Sequence, residues 1–293
     1  TKPSAALCDG GPFEFIDVTR RPTLDAVVDR YEIDTVYHMA AVLSAVGEEN
    51  PQLAWNVNIN GLYNILELAR QRALTRVFCA SSIAVFGADT PRDNTPQETV
   101  LRPTTMYGVS KVAGELLCDY YVKRFGVDVR GVRYPGIISS ETLPGGGTTD
   151  YAVAIFYEAV AHNRYTCFVR SDTVLPMMYM PDCVKGTIDL MEADFSLLQH
   201  HADFNMSSMS FSAGELAEAI AQHVPGFECT FEPDHRQAIA DSWPCSIDDS
   251  AARSEWGWQP AYDLETMTVD MLDRLRERHG EGRLYPGDDV SCD

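Results

Sequence analysis

Thr105-Met106-Tyr107-Gly108-Val109-Ser110-Lys111-Val112-Ala113-Gly114-Glu115-Leu116-Leu117 decides how the rest of this chain is read. Apolar Val112, Leu116 and Leu117 recur at helical spacing, so the stretch predicts the start of a helix. Tyr107 and Lys111 are four residues apart and share one helix face. A free phenol titrates near pH ~10 and is a poor base at neutrality. An ammonium group one turn away favours the phenolate, and a phenol so placed can accept a proton. The chain has 13 Tyr, and its four Lys stand at 2, 111, 123 and 185. Taken alone the pair also fits an exposed Tyr and Lys on a solvated face, so its surroundings decide.

Working outward, Arg76-Val77-Phe78-Cys79-Ala80-Ser81-Ser82-Ile83-Ala84-Val85-Phe86-Gly87 predicts a short apolar strand running into two serines. Side chains just past the carboxyl end of a parallel strand face the ligand crevice. Turn chemistry alone also explains a Ser-Ser pair, but with Tyr107 and Lys111 following, a working hydroxyl is the stronger reading. Further forward, Phe13-Glu14-Phe15-Ile16-Asp17-Val18 predicts a strand ending in an acid, then a helix over roughly 23–31. Thr35 to Ala41 predicts a buried strand that empties into a loop through Ser44 and Gly47. One helix runs from near Pro51 to Arg72, the Tyr107 helix ends near Phe125, and Val127–Arg133 is another strand. This alternation predicts an α/β fold, a parallel sheet with helices on both faces.

With 293 residues, 45% apolar and 23% charged, the chain can bury the core of one large domain or of a domain with a lobe. A formal net charge of −20 argues against nucleic acid and against an anionic membrane surface as partners. The eight cysteines (8, 79, 118, 167, 183, 229, 245 and 292) show no CxxC spacing, as expected of reduced thiols in an intracellular protein. No Cys/His cluster has zinc spacing, and His200-His201 reads as an isolated loop pair, so no metal is expected. No run reaches the ~18 apolar residues of a membrane span.

Ser82, Tyr107 and Lys111 resemble the Ser–Tyr–Lys set of the short-chain dehydrogenase/reductase superfamily. The spacing from Ser82 to Tyr107, and Gly87 beyond Ser82, resemble its extended branch, which also holds the sugar-nucleotide epimerases. The resemblance implies a Rossmann-like doubly wound sheet, NAD as cofactor, and the three residues as its catalytic set. It also implies cofactor contacts at Asp17-Val18 (adenine), Ala40-Ala41 (dinucleotide backbone), Asn58, Tyr107, Lys111, and the loop Tyr134-Pro135-Gly136-Ile137 (nicotinamide). The chain departs from the pattern at its front. The Gly-rich turn that should hold the pyrophosphate is not found, since Gly10-Gly11 follows no strand. If residue 13 opens the third strand, about 40 residues of strand–helix–strand are missing ahead of it. Either a gap where two strands belong, or direct pairing of 13–18 against 35–40, is then expected, together with an unstable chain unable to hold NAD.

Leu143-Pro144-Gly145-Gly146-Gly147-Thr148-Thr149-Asp150, Met177-Met178-Tyr179-Met180-Pro181-Asp182 and Ser242-Trp243-Pro244 resemble the short-chain-type L-threonine 3-dehydrogenases, a resemblance covering residues 13 to about 280. It implies oxidation of L-threonine at C3, with Ser44, Ser82, Tyr107, Thr148, Thr149 and Trp243 holding the substrate. It also implies a homodimer through the 51–72 and 106–125 helices, to which apolar Leu62, Ile65, Leu66, Leu116, Leu117 and Tyr120 are suited. The compartment implied is the cytoplasm or the mitochondrial matrix. Residues 1–135, with parts of 150–200 and 246–280, are expected to form the dinucleotide-binding domain. Residues 136–150 and part of 164–245 form the substrate lobe, and 281–293 a tail. Between 135 and 250 the cations are Arg164, Arg170, Lys185 and Arg236, few for a second pyrophosphate. The alternatives are a sugar-nucleotide epimerase or dehydratase, and a catalytically silent dinucleotide-binding regulator. The three glycines beside two threonines predict a mobile loop over the substrate.

Overall fold

The computed structural model describes residues 11–285; residues 1–10 and 286–293, with Cys8, Gly10 and most of the expected tail, lie outside the described residues. The front half alternates as its periodicity predicts: α1 (Arg21–Tyr31), β1 (Thr35–His38), α2 (Ser44–Glu49), α3 (Pro51–Trp55), α4 (Gly61–Arg72), β2 (Arg76–Ser82), α5 (Met106–Phe125) and β3 (Val129–Tyr134). Pro22 sits in the first turn of α1, where its missing N–H costs nothing. Gly126, at φ 67°, ends α5 in the left-handed conformation that glycine adopts without strain. The second half adds β4 (Gly136–Ile138), α6 (Tyr151–His162), β5 (Arg164–Cys167), β6 (Val174–Tyr179) and α7 (Met180–Glu192). Then come β7 (Phe204–Asn205), β8 (Met209–Ser212), α8 (Ala213–His223), β9 (Glu228–Phe231), α9 (Arg236–Asp241), α10 (Ser250–Trp256) and α11 (Leu264–Gly280).

One sheet, ordered β1-β2-β3-β7, is parallel throughout, with Ser82 opposite Tyr134. A second, β4-β6-β8, pairs β4 parallel and β8 antiparallel to β6, and β5 pairs with β9. Alternation along β2 divides the core. Val77 and Cys79 pack on Leu24, Leu66 and Cys118 from α1, α4 and α5. Phe78 turns the other way, onto Tyr134, Leu190 and Trp258. A third cluster, built mainly from α6, β6, α8 and α11, takes in Ile83–Phe86 just beyond β2, with Tyr107 packed against it. The end of β2 and the start of α5 therefore sit where sheet and lobe meet.

Several expectations are corrected. Residues 13–18 form no strand and do not pair with β1. A strand needs a neighbour's ladder, and among the described residues the edge of β1 away from β2 carries none. The segment is held instead by Glu14, whose carboxylate pairs with Arg30 and accepts from the Tyr31 hydroxyl at 2.8 Å, and by Val18, whose carbonyl accepts from Asn64 Nδ2 at 2.9 Å and whose side chain packs on Gly61. On that open edge Tyr37 is 47% exposed, so β1 is not the buried strand expected. Ser44–Gly47 lies in the short helix α2, not in a loop. The 51–72 helix is interrupted by a π turn at Asn56–Asn60. Tyr134 ends β3 and Gly136-Ile137 belong to β4, so the expected nicotinamide loop is two strands hinged at Pro135. Leu62, Ile65 and Leu66 are spent in the monomer core. Leu284, placed in the tail, is buried in the lobe cluster.

Candidate active site

The start of α5 is held from two directions. Thr105 caps it, its hydroxyl accepting from Gly108 N at 3.0 Å. Met106 N donates to Glu48 Oε1 of α2 at 2.6 Å. Gly108 is forced by closeness: a Cβ there would overlap the Ala84 carbonyl oxygen and the Pro103 ring. Tyr107 is half-buried, and the Lys111 ammonium lies 5.4 Å from its ring centroid. Lys111 Nζ donates to the Ala80 carbonyl at 2.6 Å, which ties it to the end of β2 and commits one of its three N–H donors. His38, at the end of β1, is buried nearby. Burial first, then the Lys111 charge, push its pKa down to about 4, so it is neutral at physiological pH. His38, Ala40, Asn58, Ser110 and Lys111 line a cavity of about 30 Å³, room enough for a water.

The two serines part company. Successive strand residues point to opposite faces, and Ser81 points into the protein, donating to the Glu115 carboxylate. Glu115 also receives Arg133 Nε at 3.0 Å and Nη2 at 2.8 Å, and Arg133 Nη1 reaches the Gln97 carbonyl and Asn205 Oδ1. Burial pushes the Glu115 carboxyl upward, against Arg133 and Ser81, which favour its charge. Ser82 is half-buried and accepts from Ala84 N at 3.2 Å, a bond that leaves its own proton uncommitted. Sequence reasoning missed the Glu115–Arg133 pair. Its members are 18 residues apart in the chain, and the usable signal was an arginine in a strand whose neighbours are buried on both faces.

The other expected residues fall into three groups. Asn58 is fully engaged: Oδ1 accepts from Val42 N at 2.7 Å, and Nδ2 donates to Val42 O and Ser110 Oγ. It thereby fixes the Ala40-Ala41-Val42 segment against α5, with Ala40 exposed and Ala41 half-buried. Asp17 is exposed and Val18 half-buried; the Asp17 carboxylate accepts from Thr19 N and Oγ1, bonds that lower its pKa. In the second group, the Tyr134 hydroxyl bonds Thr187, Pro135 is buried, and Ile137 is half-buried beside them. Thr149 packs on Gly136, where an added Cβ would come within 2.9 Å of it, and Thr148 is buried next to it. In the third, Ser44 is buried on α2, while Trp243 is 6% exposed in the same apolar cluster that Tyr107 borders. The triple-glycine loop is clipped, because Asp150 Oδ2 accepts from both Gly146 N and Gly147 N at 2.7 Å. Among the described residues no cluster of His, Cys, Asp or Glu is placed to hold a metal ion, and no helix is long and apolar enough to cross a membrane.

Parallel strands between helix layers, with a half-buried Tyr–Lys helix at the carboxyl end of β2, define a Rossmann-like α/β fold. The family model described as "NAD dependent epimerase/dehydratase family" matches residues 1–206, and the chain belongs to that family. An uncharacterized epimerase/dehydratase of Staphylococcus haemolyticus is 52% identical over 271 residues, 92% of this chain and 85% of the relative. A GalE-like L-threonine dehydrogenase from Cupriavidus necator, solved in its holo form, superposes with a TM-score of 0.88 at 55% identity, covering 89% of this chain and 85% of that one. A monomeric L-threonine 3-dehydrogenase from a metagenome gives 0.88 at 50% identity, covering 90% and 85%.

Proposed function

We propose that this chain catalyses NAD-dependent oxidation of L-threonine at C3 to 2-amino-3-oxobutanoate. The observation that carries the reading is Lys111, pinned to the Ala80 carbonyl one turn from Tyr107 at the end of the strand that presents Ser82. Ser82 and Tyr107 hydrogen-bond the C3 hydroxyl, and Tyr107 takes its proton with the Lys111 ammonium favouring the phenolate. NAD, when bound, supplies the acceptor for the C3 hydride. The donors of Lys111 not used by Ala80 suit the hydroxyls of a ribose, which supports the fit of a dinucleotide here. Tyr134, Pro135 and Ile137 would border its nicotinamide, Ala40 and Ala41 its backbone, and Asp17-Val18 its adenine. Asn58 acts by shaping the Ala40–Val42 segment. Ser44, Thr148, Thr149 and Trp243 would enclose the amino acid.

The lobe's charges support a small substrate over a sugar nucleotide. Of the four cations between 135 and 250, Arg170 pairs with Asp241, Lys185 with Asp189 and Arg236 with Asp234, so three of the four are already neutralised by a carboxylate. The test is NADH formation from L-threonine by the purified chain. Tyr107→Phe should lower turnover ~10²–10⁴-fold while threonine binding survives. Turnover near that of the parent would remove Tyr107 from the mechanism, and absence of NADH from a parent chain that titration calorimetry shows to bind NAD would reject the substrate.

The same reading includes a homodimer. On α5, Leu116 is 66% and Tyr120 52% exposed, and Tyr63 of α4 is exposed beside them. Such an apolar helix face suits an isologous contact. Light scattering should give a dimer mass for the chain and a monomer mass for Leu116→Glu. A monomer mass for both would reject the assembly.

A further inference from the structure

Glu48 has no part in the proton transfer, cofactor contacts or substrate contacts described above, yet it reaches the start of the helix that carries Tyr107. Ser44, Gly47 and Glu48 are spaced three and four residues apart, so they share one face of α2. Contacts settle what that face meets. A Cβ built on Gly47 would lie 4.0 Å from the Tyr107 Cβ, and Glu48 Oε1 accepts Met106 N at 2.6 Å. Ser44, on the same face, is buried. Met106 is the first residue of α5, and its N–H has no acceptor within its own helix; Thr105 serves Gly108 N instead.

We propose that Glu48 is a positioning residue for Tyr107, locking the first turn of α5 onto the helix that carries Ser44; this rests on the reading of Tyr107 as the proton acceptor. Lys111 is held independently by Ala80 at the end of β2. The Tyr107–Lys111 geometry therefore rests on the Glu48 and Ala80 anchors, with the Thr105 cap, all within the first two turns of α5. Loss of the Glu48 anchor lets the first turn fray and shifts the phenol relative to both Lys111 and Ser82. Displacement of a catalytic group by ~1 Å can cost ~10²-fold in rate. Because α2 also carries Ser44, the same anchor links the substrate side of the site to the base.

The test uses the full chain with L-threonine and NAD, in Glu48→Ala and Glu48→Gln. In Glu48→Ala, kcat should fall about 10- to 100-fold with KM within about twofold. Glu48→Gln keeps an acceptor oxygen and should recover most of that loss. Amide exchange at residues 106–108 should quicken in Glu48→Ala and stay near the parent rate in Glu48→Gln. Unchanged exchange in Glu48→Ala, an unchanged kcat, or a Glu48→Gln as slow as Glu48→Ala would overturn the proposal. A parent chain that binds NAD yet is inactive toward threonine strikes the substrate reading instead, and the exchange measurement then decides Glu48 alone.

Discussion

On one flank of the four-stranded sheet β3 meets β7; on the other, β1 meets no strand among the described residues. Little ladder separates them, since β3 and β7 pair over just Val132–Arg133. What differs is the side-chain bracing. At the β7 flank, Arg133 joins Glu115 of α5, the Gln97 carbonyl and Asn205 of β7, and Asn205 goes on to the Thr95 and Asp248 carbonyls. At the β1 flank, Tyr37 is open, Phe15 is exposed, and the preceding segment is held through Val18 and the surface pair Glu14–Arg30. The Tyr107 helix α5 leans on the braced flank through Glu115 and on the open one through Asn58, Ser110 and the β1 residue His38, which lines one cavity with Lys111. A short ladder can thus be stiff when buried charge crosses it, and a longer one soft when its edge is bare.

The largest expected effect breaks the bracing. Arg133→Ala strands the buried Glu115 carboxylate and should cost about 3–5 kcal/mol of stability in urea unfolding. A loss under 1 kcal/mol would mean that the network contributes little. A middling effect sits at the end of β1, where the open flank meets α5. The pKa of His38 is depressed to about 4 in the fold against 6.5 unfolded, so the unfolded chain binds the extra proton first. Stability is therefore full above about pH 6.5 and falls as pH drops toward about 4, by about 3 kcal/mol from this group. His38→Asn should remove that part of the acid loss in unfolding curves taken across this window; identical pH profiles would exclude His38 as its source. The smallest effect belongs to the open edge. Tyr37→Thr gives up one tilted ring contact with Phe78, at 5.9 Å, and should cost less than about 1 kcal/mol. A larger loss in thermal melts would show that edge to be covered in solution.

The same contrast explains what was legible in the sequence. The Tyr107 helix was, because its signals are local: Thr105 as cap, apolar residues at helical spacing, Gly126 as stop. The β2 strand was as well, for its apolar run is buried on both faces. Residues 13–18 carry strand-like alternation, yet a strand exists only with a partner, and no local pattern reports whether one is present. Ser81 and Ser82 could have been separated by strand period alone, since adjacent residues cannot both face the crevice. The Glu115–Arg133 pair and the π turn that directs Asn58 inward depend on contacts 18 and 16 residues away. The family resemblance implies a loop at Tyr134-Pro135-Gly136-Ile137, but the neighbouring β6 gives Gly136 a ladder.

Gly108 gives the Tyr107–Lys111 motif a second meaning. Between the two chemical residues stands a position where any side chain would collide with the Ala84 carbonyl and Pro103. Ser110 beside it spends its hydroxyl on the Tyr107 carbonyl and on Asn58. A library randomised across 106–111 and selected for turnover would therefore return two kinds of invariance that look alike on paper. Tyr107 and Lys111 would be kept for reactivity, Gly108 for clearance. They could be told apart by selecting the same library for solubility alone: glycine would persist at 108, while the tyrosine and lysine would drift.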